Sequence, residues 1–273
     1  MLTGCAGSAG VSGTGRVSTP MSTSSLHEQL ELLPAAEAVT GGDAGITIEV
    51  AAGITRGDIL AMAEEAHALA TERHFLEDIW ITRMGAGFDA ESDTSTPPPW
   101  TFQVYPGEIE TTLATVAGVL DVEEIAGTSG FSIIDGWPYV TIANVTEFSS
   151  IFDAVSATSL FAGGGTYSTN SDHLQIVHVP TRTSAEAVHA IADIAIDYPN
   201  AEVLLQATTA GPQWPKLYVA RLSTEEAAAI EARLLSPELA DTDPDGLPQR
   251  FQLSVVGPEG PVYTLGTLGN VTG

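Results

Sequence analysis

From Ile46 onward, short runs of β-branched and aromatic residues alternate with alanine-rich segments of helical period. A chain patterned this way must layer helices on a sheet, since each amphipathic face needs an opposing layer to bury it. Strands are predicted over 46–51, 79–84, 101–105, 131–134, 139–145, 174–179, 202–207, 216–222 and 251–256. Helices are predicted over 26–33, 56–73, 108–120, 147–158 and 184–197, with another beginning after Ser223. Thr183 with Glu186, and Ser223 with Glu226, stand at capping-box spacing, so hydroxyl and carboxylate can satisfy orphan amide protons reciprocally. In the helix after Thr183, Val188, Ile191, Ala192 and Ala195 share one face, and Asp193 and Asp197 lie toward the other. Asp135-Gly136 between two strand runs predicts a tight hairpin.

An internal repeat constrains the architecture further. Trp137-Pro138 and Trp214-Pro215 each precede a strand, and at the same offset His173-Leu174-Gln175-Ile176 aligns with Arg250-Phe251-Gln252-Leu253. Segments 46–134 and 174–256 both read β-α-β-β-α-β, the ferredoxin-like order. The expected fold is therefore α+β: tandem ferredoxin-like units with antiparallel sheets and helices on one face, the two units either separate or sharing one continuous sheet. The units fall at 26–134 and 173–257, joined by a strand-helix segment at 135–172, preceded by a tether at 1–25 and followed by a tail at 258–273. A register starting at 101 and ending at 179 satisfies the same pattern, so the unit boundaries stay open.

Charge removes whole classes of partner. Nine Lys and Arg face 35 Asp and Glu, a net charge of −26, and Lys216 is the single lysine. Nucleic-acid binding needs cationic side chains that displace counterions, so no nucleic-acid partner is expected. Unaided attraction to an anionic bilayer fails for the same reason. No apolar run approaches the roughly 20 residues of a membrane-spanning helix.

Few motifs point to chemistry. Asp241, Asp243 and Asp245, followed by Gly246, place carboxylates at alternate positions before a glycine, as a calcium loop does. Position twelve is Gln252 instead of a bidentate glutamate, which leaves a solvated turn as the competing interpretation. Asp172 beside His173 is the best acid-base pair, with His178 five residues on and across the strand. His67 and His74 are two helical turns apart, and His189 has no partner nearby in sequence. Gly127-Thr128-Ser129-Gly130 lacks nucleophile-elbow spacing, and Gly163-Gly164-Gly165-Thr166 has no following lysine to make a phosphate cradle. Trp100, Trp137 and Trp214 each stand beside a proline just before a strand. They either seal the core edge or line a surface that stacks on a glycan or an apolar ligand.

Leu2-Thr3-Gly4-Cys5 contains the only cysteine, and residues 6–25 are almost wholly small and polar, a composition suited to a flexible tether. These four residues resemble the lipobox of bacterial lipoproteins. The resemblance implies a lipid on Cys5, a membrane partner through that lipid, and an extracytoplasmic location; a soluble cytoplasmic protein with a stray thiol is the alternative. With no catalytic motif and no required cofactor, the expected function is a non-enzymatic binding or structural module of the cell envelope with a protein or glycan ligand. An extracellular hydrolase built around Asp172, His173 and His178, and a calcium-responsive module at Asp241–Gly246, are the alternatives.

Overall fold

The computed structural model describes residues 23–42, 45–50, 53–75, 77–83, 100–105, 108–171, 173–206, 215–240, 249–258 and 260–270. Helix α1 (Thr23–Leu30) precedes β1 (Ala36–Gly42) and β2 (Gly45–Val50). Among the described residues five strand pairs follow, each reached through a helix. Helix α2 (Arg56–Glu72) leads to β3 (Ile79–Arg83) and β4 (Trp100–Val104), and α3 (Ile109–Glu123) to β5 (Thr128–Ile134) and β6 (Trp137–Ile142). Helix α4 (Phe148–Ser156) leads to β7 (Gly165–Thr169) and β8 (Leu174–His178), and α5 (Ala185–Asp197) to β9 (Glu202–Leu205) and β10 (Leu217–Leu222). Finally α6 (Thr224–Leu234) leads to β11 (Arg250–Gly257) and β12 (Gly260–Thr267).

All twelve strands form one sheet in strictly sequential order. Strands joined by a helix pair parallel, and the others pair antiparallel. The helices of successive units touch one another on one face. Arg56 of α2 reaches Asp121 of α3 at 2.8 Å, His189 of α5 reaches Asp153 of α4 at 2.8 Å, and Arg233 of α6 reaches Asp193 and Asp197 of α5 at 2.9 Å. Leu160, just after α4, lies against Gly118 of α3, where a Cβ would come within 3.1 Å of it. Strands step in one direction across the sheet while successive helix-linked pairs reverse direction. Helices kept on one face then require crossovers of alternating hand, a departure from the usual right-handed preference.

Sequential order corrects the tandem ferredoxin-like expectation and its antiparallel sheets. In a split β-α-β unit another strand lies between the two that a helix joins. Here helix-linked strands are immediate neighbours, in one mixed sheet where β5 pairs with β6 and β7 with β8 across the expected unit boundaries. The sequence pattern misses β1, β7 and β12, which are built largely of Gly, Ala, Thr and Ser (AEAVTGG, GTYST, GPVYTLGT). Strand β7 decides the matter: it lies between β6 and β8, pairing parallel with the first and antiparallel with the second, whereas a ferredoxin-like unit over 101–179 would set β4 beside β6. The repeat offset does match β6 and α4 with β10 and α6, two units on. It also aligns β8, which precedes a helix, with β11, which follows one, so that half of the match is not structural equivalence.

Period-two alternation makes the core one-sided. The buried row Phe131, Val140, Tyr167, Ile176, Leu205, Leu217 passes from strand to paired strand and faces the helices. Each such side chain contributes about 1.5–3 kcal/mol on burial. Local signals are well obeyed elsewhere. Ser223 and Glu226 form both bonds of the capping box, and Asp135 and Gly136 take positive φ of 51° and 76° in the β5–β6 turn. The cap of α5 moves by one residue: Ser184, not Thr183, accepts the Ala187 N–H, and Thr183 Oγ1 instead accepts from Gln249 Nε2.

Candidate functional site

The helices cover one face of the sheet, and the alternate residues of each strand present the other. Two rows cross it. In the first, Thr101 pairs with Ser132, Ser132 with Tyr139, and Tyr139 with Thr166. In the second, Thr141, Ser168, Gln175, Leu204, Tyr218 and Gln252 follow one another through six adjacent strands. None of these ten residues is charged, on a chain with a net charge of −26. Hydroxyls, amides and aromatic rings make up most of the surface, and most of these side chains are half-exposed.

Trp137 anchors it. Its indole Nε1 donates to Thr166 Oγ1 at 2.9 Å, fixing the ring beside Tyr139 on the open side. Gly164 has φ +117°, and a Cβ there would come within 2.5 Å of the His178 carbonyl and 3.0 Å of the Trp137 ring. A Cβ on Gly165 would meet the Phe161 ring at 2.3 Å. Close backbone approach therefore accounts for the last two glycines of the run at 163–165, and the glycine-threonine boundary opens β7.

The three tryptophans divide. Trp100 is fully buried, stacked on Phe102 at 5.5 Å with the Arg83 guanidinium 5.3 Å over its ring, which corrects its place on a contact surface. The signal was available in the alternation: Trp100 shares its face with Phe102 and Val104, whereas Trp137 shares its face with Tyr139 and Thr141. Trp214 lies outside the described residues, as do Cys5, Asp172, and the calcium candidates Asp241, Asp243 and Asp245.

Histidines do not gather. His173 follows the open side, where its Nδ1 meets Ser171 Oγ, a neighbour that sequence reasoning missed. His178 points into the helix layer, so the two sit on opposite sides of the sheet as their spacing predicts. His189, alone in sequence, finds Asp153 across the helix interface. Among the described residues no three of His, Cys, Asp or Glu are grouped to hold a metal ion. No protein family, curated protein or solved structure matches the chain.

His178 belongs to a buried aromatic group. Its Nε2 donates to the Thr183 carbonyl at 3.0 Å, its ring meets Phe152 at 5.0 Å, and Nδ1 has no hydrogen-bond partner. Desolvation pulls its pKa below the ordinary 6.5, with the Thr183 bond opposing. Burial likewise raises the Tyr167 phenol above its ordinary value. The unfolded chain thus takes up the histidine proton first. The His178 contribution to stability is complete above pH 6.5 and declines as pH falls from there toward the lower folded value. Urea unfolding at stepped pH should show wild type losing more stability below pH 6.5 than His178→Phe; parallel curves would remove His178 as the cause.

Proposed function

We propose that this chain is a non-enzymatic binding module of the cell envelope, held to a membrane by a lipid on Cys5, whose open sheet face carries an uncharged, hydroxyl-rich ligand such as a neutral glycan. The supporting observation is the charge-free pair of rows between Thr101 and Gln252 on an otherwise strongly acidic protein. A sheet surface of hydroxyls and amides offers the donors and acceptors a sugar uses, and half-exposed rings such as Trp137, Tyr139 and Tyr218 can stack on apolar sugar faces. Anionic ligands would meet repulsion from the surrounding carboxylates. Anchoring rests on the lipobox-like Leu2-Thr3-Gly4-Cys5 and the tether composition after it.

Native electrophoresis through gels containing neutral glucan or galactomannan tests the face. Wild type should be retarded by at least one of them, and Tyr139→Ser with Tyr218→Ser should run freely. No retardation in any gel, or equal retardation of the variant, ends the glycan reading. Fatty-acid labelling of the expressed gene product tests the anchor: label should appear on wild type, be absent from Cys5→Ala, and move with the membrane fraction.

A further inference from the structure

We propose that the outer edge of β12 is a self-association site, where two copies pair β12 to β12 antiparallel and continue the sheet across a two-fold axis. Of the six large apolar side chains exposed among the described residues, four lie on the β11–β12 hairpin: Val256, Val262, Tyr263 and Leu265. Strand β12 runs for eight residues, GPVYTLGT, without a charge or a register irregularity. Alternate residues of an edge strand turn N–H and C=O groups outward, a template for another strand. Natural edges are blunted by charge, bulges or a covering helix. The opposite edge has two of these: β1 carries Glu37, and its register shifts between Ala36 and Ala38. Among the described residues the β12 edge has only Pro261 near its start.

The occupant follows from charge and symmetry. Two copies of net charge −26 repel everywhere their carboxylates meet, and an uncharged strand is where they can approach. Glu37 and the register irregularity blunt the β1 edge, which disfavours head-to-tail joining of β12 to β1 and leaves a two-fold pair. That axis stands perpendicular to the sheet, which puts both helix layers on one side and both open faces on the other. A paired sheet would present its open face twice to one extended ligand, although the association itself does not depend on ligand binding.

Sedimentation velocity of the full chain, under reductant so that Cys5 cannot link copies, tests this. Wild type should pass from monomer to dimer between roughly 1 μM and roughly 1 mM, as a small edge contact allows. Added salt should strengthen the dimer by screening repulsion. Leu265→Lys should stay monomeric with an unchanged thermal melt, even though its positive charge lowers the repulsion between copies. Ile134→Lys, an exposed site away from this edge, should still dimerise. A wild-type monomer throughout the range, a dimer that survives Leu265→Lys, or open-ended polymers would each overturn the proposal.

Discussion

Replacing Phe152 by alanine is expected to cost about 3–5 kcal/mol of folding stability, measured from urea unfolding midpoints. Phe152 is fully buried on α4 at the meeting point of the aromatic group: its ring lies 4.8 Å from Tyr167, 5.0 Å from His178, 5.8 Å from His189 and 6.4 Å from Phe148. Truncation removes the transfer free energy of the ring and leaves a cavity whose walls belong to two helices and two strands, which cannot collapse independently. The Tyr167 hydroxyl and His178 Nδ1, already without partners, lose apolar cover beside that cavity. Phe152→Leu keeps most of the volume and should cost less. A loss below about 1.5 kcal/mol for the alanine variant would contradict this account of the core.

Arg83 is the second site of large effect. Its guanidinium meets the Glu123 carboxylate of α3, donates to the Ile54 carbonyl at 3.2 Å and lies over Trp100. The side chains of Arg83 and Glu123 are 15% and 29% exposed, so solvent screens the pair only partly. Arg83→Ala should destabilise by about 3 kcal/mol because it leaves a half-buried carboxylate without its cation. The double variant with Glu123→Ala should lose less than the sum of the single changes, since no unpaired charge remains. Arg83→Lys should not restore wild-type stability: a lysine cannot lie flat over the indole while serving both a carboxylate and a carbonyl. The exposed pair Arg221–Glu202, with side chains 70% and 49% exposed, is the control and should move stability by less than about 1 kcal/mol when broken. Equal losses at both pairs would show that burial is not what gives Arg83 its weight.

Neither site is legible in the chain alone. Arg83 closes an apolar strand run and its partner follows 40 positions later on a different element. Phe152 reads as one of several aromatics on an amphipathic helix, and nothing local says that Tyr167 and His178 converge on it. The open face was partly legible: the parity of Trp137, Tyr139 and Thr141 against Val140 and Ile142 states which residues share a side. Which side the helices would cover, and that the uncharged side chains of six strands would fall into one row, required the register of every pair.

What the sequence determined was local. The existence of the six helices, the Ser223 cap, the Asp135-Gly136 turn and nine of the strands follow from interactions within a few residues of each position, although the first helix lies at Thr23–Leu30 and not at 26–33. What only the tertiary structure decided was strand order, the one-sided core, and which strands form the two edges of the sheet. Backbone N–H and C=O groups are the same in every strand and carry little information about their partner. Pairing is therefore settled only when all candidates are present, and the glycine- and threonine-rich strand β7, the least conspicuous in sequence, took the place beside β6 that fixes the sequential order.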